Sequence, residues 1–147
     1  MNMIMLNVNV VNKSMHRLPE YKHPGDAGMD LKANISTPMA IRPGENVLIP
    51  TGIFTSIPEG YYANIKSRSG LAAKAQLLAT EGVIDSGYTG EWFVNLFNFH
   101  PTEVRIVNPG DRIAQAIFYK YETVNWNEVA SLEQTDRGEG GFGSTGV

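Results

Sequence analysis

Short segments rich in β-branched and aromatic residues, separated by turns that contain proline and glycine, dominate this chain of 147 residues. Segments of this kind are typical of β-strands, and turns at this spacing favour an all-β barrel or sandwich. The predicted strands cover residues 46–49, 53–57, 61–66, 92–99, 104–107 and 112–119, and a first strand is expected within residues 1–11. The separating turns are Pro43-Gly44, Pro50-Thr51-Gly52, Pro58-Glu59-Gly60 and Pro109-Gly110.

One helix is predicted, over residues 71–77, because this segment combines strong helix formers with no β-branched residue. The chain has no internal repeat and no linker. We therefore expect one β domain over residues 1–134, followed by a loose tail over residues 135–147.

Composition excludes several classes of protein. No apolar run approaches the ~18 residues of a membrane span, and residues 1–11 lack the basic start and cleavage site of a signal peptide. The absence of cysteine excludes disulfides, thiolate zinc sites and a cysteine nucleophile. With a net charge of −3 and interspersed charges, the chain has no basic footprint for nucleic acid. We expect neither a nucleic-acid nor a membrane partner, and a cytoplasmic location, or host cytoplasm or nucleus for a viral source.

The tail is rich in glycine, which cannot hold a helix or strand without a large entropic cost. Interrupting the glycines are a guanidinium, an aromatic ring and two adjacent hydroxyls, from Arg137, Phe142, Ser144 and Thr145. Such groups bind phosphate and stack on a base. The pattern predicts a flexible lid that orders on a nucleotide; the alternative is a disordered, solubilising terminus.

Ser67-Arg68-Ser69-Gly70 lies between a predicted strand and the predicted helix. Because a helix N-terminus presents unsatisfied N–H groups, this segment is a candidate anion site, to which Arg68 adds charge and Ser69 a hydroxyl. The alternative is an ordinary helix cap by Ser67 or Ser69.

Residues 82–91 are predicted to form a β-hairpin with Ser86-Gly87 at its turn. Asp85 would stand at the tip, where a carboxylate can orient or deprotonate a water, and Tyr88 offers a flat face to a sugar or base. The alternative is simple turn chemistry, in which aspartate is common.

A further candidate is Gln115, which would share one strand face with Ile113 and Ile117 if the strand is regular. A polar group among apolar neighbours needs a partner, which is either a ligand or a backbone group. Pro109-Gly110-Asp111, just before it, has the composition of a turn.

Taken in order, five segments resemble the motifs of the trimeric deoxyuridine triphosphatases (dUTPases). The segments are residues 27–31 (AGMDL), 67–72 (SRSGLA), 82–91 (GVIDSGYTGE), 110–115 (GDRIAQ) and 137–146 (RGEGGFGSTG). The chain departs from the family where Ser67 replaces a proline, where Gly87 and Thr89 stand for the frequent Asp and Arg, and where Ala79 replaces an asparagine that contacts uracil in some members.

The resemblance implies a jelly-roll-like β fold and a homotrimer whose three active sites each draw on all three subunits. It implies hydrolysis of dUTP to dUMP and pyrophosphate, which keeps uracil out of DNA and supplies dUMP for thymidylate synthesis. In each site, Arg68, Ser69, Gly70 and Gln115 of one chain would hold phosphate oxygens. The hairpin would come from a second chain and the tail from the third.

The resemblance also implies a role for each of these residues. Asp85 would activate the water that attacks the α-phosphorus, Tyr88 would pack under the deoxyribose, and the backbone of Gly82, Val83 and Ile84 would help to read uracil. Phe142, with Gly143 beside it, would cap the base, while Arg137, Ser144 and Thr145 would close over the β and γ phosphates. Asp30 would order Arg68 or a subunit junction, and Asp111 would be structural.

The implied cofactor is Mg²⁺, held mainly by substrate phosphates and water rather than by a protein cage, as Mg²⁺ prefers. Two alternatives remain at this point. One is a dCTP deaminase of the same fold, for which Glu81 and Glu91 are the local candidates for a base. The other is a regulatory protein switched by nucleotide.

Overall fold

The computed structural model describes residues 4–143, which form ten strands and one short helix. The elements are β1 Asn9–Asn12, β2 Met29–Lys32, β3 Met39–Ile41, β4 Asn46–Ser56, β5 Tyr61–Lys66, α1 Ser69–Ala75, β6 Leu77–Ala79, β7 Gly82–Ile84, β8 Glu91–Asn98, β9 Arg105–Val107 and β10 Arg112–Lys120. The all-β prediction is confirmed. No helix within residues 4–143 has the length and apolar character that a bilayer span requires.

Two four-stranded sheets pack face to face, as in a β-sandwich. The first has the strand order β1-β4-β8-β6 and the second β2-β10-β5-β7, while β3 and β9 form a separate pair. All the pairings are antiparallel.

Alternate residues of the strands point into the core between the sheets. In β8, Trp92, Val94 and Leu96 are buried, while the residues between them face outward. The Trp92 ring meets Phe118 of the opposite sheet at 6.2 Å between centroids, and its indole N–H donates to Thr55 Oγ1 at 3.0 Å. Burial of these alternating apolar faces is the main favourable term in the stability of the sandwich.

The strands predicted over residues 46–49 and 53–57 are one strand, β4. Pro50-Thr51-Gly52 is therefore not a turn, and that prediction is wrong. The pairing of β4 with β8 instead shifts its register between Pro50 and Phe54, and Gly52 takes a φ of +71° there. A proline without an N–H is tolerated in a strand at such an irregularity.

The helix begins and ends two residues earlier than predicted, at Ser69 and Ala75. Gln76 ends it in the left-handed conformation, with a φ of 53°, and Leu77 already belongs to β6. Arg68 takes the N-cap position in an extended conformation, without a side-chain cap. Capping by Ser67 or Ser69, the alternative left open by the sequence, is therefore absent.

Candidate active site

The pairing of β10 with two neighbours aligns three polar residues on one face of the second sheet. Gln115 of β10 is opposite Asp30 of β2 on one side and Lys66 of β5 on the other. Directly opposite residues in an antiparallel pair share a face, so these side chains form a row across the sheet. Arg68 follows two residues after Lys66, beyond the end of β5, and its side chain reaches Asp30 in this row.

Arg68 is fixed by two contacts. Its Nε donates to Asp30 Oδ1 at 2.9 Å, and its Nη1 donates to the Arg112 carbonyl at 3.2 Å. Both side chains of the Arg68–Asp30 pair are about three-quarters buried, and Arg112 Nη1 lies 3.7 Å from the other Asp30 oxygen. Asp30 thus makes the contact that its predicted ordering role requires.

Gln115 has a backbone partner, since its Nε2 donates to the Ser67 carbonyl at 3.0 Å. On its other side, a Cβ atom added to Gly28 would lie 2.5 Å from Gln115 Oε1, so a side chain at this position would displace the Gln115 amide. The same added Cβ atom would lie 3.3 Å from Ile117 Cγ1, which places Ile117 on the same face as Gln115. Ile113 was expected there as well, but a bulge between Arg112 and Ala114 places it in the core instead.

Ser67 ties the segment to β6, because its Oγ accepts the Ala79 N–H at 3.1 Å. Ser67 and Ala79, two of the four positions at which the chain departs from the family, are therefore in contact with each other. Ser67 holds the segment before Arg68 through this hydroxyl and through its carbonyl, which accepts Gln115.

An open cleft of about 340 Å³ lies over this row. Its walls include all four of the predicted phosphate-binding residues, Arg68, Ser69, Gly70 and Gln115. The remaining lining residues are Glu20, Lys22, Asp26, Ala27, Gly28 and Asp30. Lys22, Glu20 and Asp26 were not predicted from the sequence; no motif marks them, and only the path of residues 20–28 past the cleft identifies them.

Lys66, the strand partner of Gln115, forms an ion pair with Glu81, with Nζ 3.5 Å from Oε1. The phenol of Tyr119, followed by the Glu81 carboxylate, raises the pKa of Lys66 above its ordinary value of 10.5. A charged lysine is thus favoured opposite Gln115 in the sheet. The contact also occupies Glu81, one of the two glutamates considered as a deaminase base.

The segment that carries Asp85 forms the predicted turn but not the predicted hairpin. The Tyr88 N–H donates to the Asp85 carbonyl at 3.1 Å, which closes a turn around Ser86-Gly87. The flanking strands do not pair with each other, because β7 joins β5 in the second sheet and β8 joins β4 and β6 in the first. The segment therefore crosses from one sheet to the other.

Glu91 fixes the exit of this turn. Its carbonyl accepts the Tyr88 hydroxyl at 2.6 Å, and its carboxylate accepts the Gly52 N–H at 3.1 Å. This engagement makes Glu91 an anchor rather than a free base. Asp85 itself is exposed, as is Val83, whereas Ile84 is buried.

Within one chain, Asp85 is far from the cleft. Ile84 pairs with Ala63, so Asp85 lies level with the start of β5, whereas Gln115 pairs with Lys66 at its end. Four residue steps separate these levels, about 13 Å at ~3.3 Å per residue. The structure brings the four predicted phosphate-binding residues together in the cleft. Residues 82–88 start level with Ile65, run toward the start of β5 and do not line this cleft.

Beyond β10, the described residues 121–143 form neither helix nor strand. Arg137 closes a local turn, with its Nε donating to the Gly140 carbonyl at 2.8 Å, and the Phe142 ring is fully exposed. Gly138 and Gly143 both have positive φ values, which glycine permits. Ser144 and Thr145 lie outside the described residues.

Asp111 closes the predicted turn before β10. Its Oδ2 accepts the Asn108 N–H at 2.8 Å, and its own N–H donates to the Asn108 carbonyl at 3.1 Å. This is local turn chemistry. It agrees with a structural rather than a substrate-binding role.

Comparison with known proteins identifies the fold and then the family. A structure of Staphylococcus bacteriophage 80alpha dUTPase with dUpNHpp is similar to this chain with a TM-score of 0.83 at 31% identity, covering 96% of this chain and 99% of the phage chain. A mutant dUTPase from phage phi11 of S. aureus, described as revealing the coordination of a structural Mg(II) ion, has a TM-score of 0.76 at 28% identity and covers 87% of this chain.

The sequence comparisons agree. The dUTPase family model matches residues 15–146. A deoxyuridine 5'-triphosphate nucleotidohydrolase from Finegoldia magna is 46% identical over 143 residues, covering 96% of this chain and 99% of the relative. The protein of the same name from Orientia tsutsugamushi is 47% identical over 132 residues, 88% of each chain. The chain belongs to the dUTPase family, and the resemblance found in its motifs is confirmed.

Proposed function

We propose that this protein hydrolyses dUTP to dUMP and pyrophosphate in sites that its subunits share. The observation that carries the proposal is the division of the motifs within one chain. One end of the second sheet collects the phosphate-binding residues, while the aspartate expected to activate water lies at the other end. A complete site then requires a second copy of the chain.

The cleft is the proposed phosphate half of the site. Asp30 and the Arg112 carbonyl engage Nε and Nη1 of Arg68, which orients the guanidinium and leaves Nη2 to face a phosphate oxygen. Ser69 and Gly70 add a hydroxyl and backbone N–H groups, and Gln115 closes the wall behind them. Preorganised donors of this kind stabilise the charge that develops on phosphoryl oxygens.

A second subunit supplies Asp85 in this proposal. The carboxylate accepts a proton from a water molecule as that water attacks the α-phosphorus, and the bond from this phosphorus to the bridging oxygen breaks, releasing pyrophosphate. The Tyr88 ring, whose hydroxyl is engaged by the Glu91 carbonyl, presents its face to the deoxyribose and leaves no room for a 2′-hydroxyl. The exposed backbone around Val83 reads the edge of uracil.

The third contribution comes from the end of the chain. Residues 121–134 expose large apolar side chains, with Trp126 88% and Leu132 87% accessible in a single chain. Exposure of this extent is unusual without a partner surface. We infer that this segment lies on a neighbouring subunit of a trimer and delivers residues 135–147 as a lid, in which Phe142 caps the base and Arg137 meets the outer phosphates.

The described side chains do not form a cage for Mg²⁺. Within residues 4–143, no three His, Asp or Glu side chains converge in a group that would hold a metal ion, and Asp30 in the cleft is already paired with Arg68. We propose that Mg²⁺ arrives on the triphosphate, where it offsets phosphate charge. The chain's own cations, Arg68 and Lys22, then meet a partly neutralised substrate. Hydrolysis of a free nucleotide agrees with the expected cytoplasmic location.

The test is an incubation with dUTP, dCTP, dTTP and UTP in the presence of Mg²⁺, with pyrophosphate and ammonia measured. Pyrophosphate from dUTP alone is the expected result. Ammonia from dCTP would replace the proposal with deamination, although both candidate glutamates are engaged in the structure. Tight dUTP binding without any product would indicate a regulatory protein instead.

A further inference from the structure

The helix that follows the phosphate-binding segment is not held by burial. None of the seven residues of α1 is buried, and only Leu71 and Ala75 pack in part against the core. A helix this short has little stability of its own. The placement of Arg68, Ser69 and Gly70 at its start therefore depends on polar contacts at its two ends.

Arg105 makes these contacts at the far end of the helix. From β9, its Nε donates to the Ala75 carbonyl and its Nη2 donates to Gln76 Oε1, both at 2.7 Å, while Nη1 lies 3.1 Å from Glu103 Oε2. The side chain is three-quarters buried. A cation at a helix C-terminus is favoured by the helix dipole, and the planar fork of a guanidinium fixes two acceptors at once.

Gln76 connects Arg105 to the helix. It holds a left-handed φ of 53° although it is not glycine, its N–H donates to the Leu71 carbonyl, and its own carbonyl accepts the Phe99 N–H at 2.9 Å. Glycine would adopt this conformation with less strain. What a glutamine adds is the side-chain oxygen that Arg105 engages.

We propose that Arg105, through Gln76 and the Ala75 carbonyl, is a positioning residue that holds α1 and thereby sets the phosphate-binding segment in place. The inference rests on the proposed function, in which that segment holds phosphate oxygens. Arg105 touches no substrate. Its loss lets α1 tilt, and small displacements of substrate-positioning groups have large effects on binding and rate.

The variants that test this are Arg105→Lys, Arg105→Ala and Gln76→Gly, with Arg42→Ala as the matched control. Arg42 also pairs with a glutamate, Glu45, but its side chain is 81% exposed. The direct readout is the dissociation constant of two probes by calorimetry. The first is dUpNHpp, which carries the phosphates, and the second is deoxyuridine, which does not. Thermal unfolding and the separate values of KM and kcat for dUTP complete the set.

We expect Arg105→Lys and Arg105→Ala to weaken dUpNHpp binding about five- to tenfold and to change deoxyuridine binding by less than about twofold. KM should rise more than kcat falls, since Asp85 comes from another subunit. Gln76→Gly should weaken dUpNHpp binding while its unfolding temperature stays the same or rises, because the strain at this residue is relieved. A general loss of structure would instead lower the unfolding temperature and weaken the binding of both probes together.

Equal weakening of both probes in Arg105→Lys and Gln76→Gly, or dUpNHpp binding as tight as in Arg42→Ala, would overturn the positioning role. If Arg105→Ala does not fold, Arg105→Lys and Gln76→Gly decide the matter. Failure of the proposed function shows differently. The unmodified protein would then bind dUpNHpp without releasing pyrophosphate from dUTP, or would not bind it at all.

Discussion

Asp30 and Arg68 are joined by an ion pair of 2.9 Å although 38 residues separate them in the sequence. They meet because β10 pairs with the strand that carries Asp30 on one side and with the strand that precedes Arg68 on the other. The sheet itself thus builds the proposed phosphate half of the site. Asp85, the proposed general base, lies toward the other end of the same sheet, and for this reason the proposed site needs a second subunit.

The first prediction concerns this pair. Asp30→Asn keeps the shape of the side chain but removes the charge that orients Arg68, so kcat/KM for dUTP should fall by about tenfold. The free energy of unfolding should fall by about 1 kcal/mol or less, since the pair is partly solvated. Steady-state kinetics and urea unfolding measure the two effects. The control is Glu45→Gln, which removes the carboxylate charge from the exposed Arg42–Glu45 ion pair. Equal kcat/KM values for the two variants would contradict the role of Asp30.

Asp85→Asn should retain binding and lose turnover. Asp85 is exposed and its carbonyl, not its side chain, closes the turn, so stability should be unchanged. Loss of the general base should lower kcat by about 10²- to 10⁴-fold, with dUpNHpp bound within about threefold of the unmodified protein. Asp111→Asn is the contrasting variant, because the Asp111 carboxylate holds a turn. It should lower the unfolding temperature and leave kcat alone, and unchanged turnover in Asp85→Asn would remove that residue from the mechanism.

Asp85 and Asp111 show which structural features can be predicted from the sequence and which cannot. The composition of the two segments predicts that Asp85 and Asp111 lie at turns, because aspartate is common in turns. It does not predict which sheet the neighbouring strands join. Residues 82–91 were expected to pair as a local hairpin, but β7 is more than fifteen residues away in sequence from its partner β5, and such pairings leave no local signal.

The strands show the same limit. The strand at residues 61–66 was predicted with its observed bounds because Pro58 and Gly60 mark its start and its apolar residues are dense. The strand β4 was divided in error, since Pro50 and Gly52 read locally as a turn and only pairing with β8 reveals a bulge. The strands β3 and β6, of three residues each, were missed because they are too short for any periodicity to identify. The equally short β9 was found, as residues 104–107, because this segment is rich in β-branched residues. Lys22 was missed in the site for a related reason, since it belongs to no motif.

Tyr88 should control discrimination against ribonucleotides. Tyr88→Ala removes the ring under the sugar, so the ratio of kcat/KM for dUTP to that for UTP should fall by about tenfold or more. Tyr88→Phe keeps the ring and loses only the hydroxyl bond to the Glu91 carbonyl, a contact of about 1 kcal/mol. It should be less stable yet remain selective. If both variants lose selectivity to the same extent, the discrimination between dUTP and UTP depends on the conformation of the turn that carries Tyr88 and not on its ring.

The Lys66–Glu81 pair predicts a dependence of stability on alkaline pH. Because the pKa of Lys66 is raised on folding, its contribution to stability is fully present below pH 10.5 and disappears as the pH rises through the folded value. Glu81→Gln removes the charge of one of the two groups that raise the pKa of Lys66, the other group being Tyr119. The variant should therefore be slightly less stable than the unmodified protein at pH 8, and the difference should vanish above the folded pKa. Urea unfolding across this range measures it, and a difference that grows with pH would have the wrong sign.

Trp126 offers a direct test of the shared site. The chain has two tryptophans, of which Trp92 is 2% accessible and Trp126 is 88% accessible in a single chain. The fluorescence of Trp126 is obtained by subtracting the spectrum of the Trp126→Phe variant from that of the unmodified protein. If residues 121–134 lie on a neighbouring subunit, Trp126 emits as a buried indole and is protected from quenching by iodide. Dissociation of the oligomer should then shift the Trp126 emission to the red before the Trp92 emission changes.

Sedimentation should give a trimer for the full chain and for a truncation that lacks residues 135–147, and this truncation should be nearly inactive. A Trp126 that iodide quenches freely in the native protein, or a monomer with full activity, would show that one chain completes the site alone.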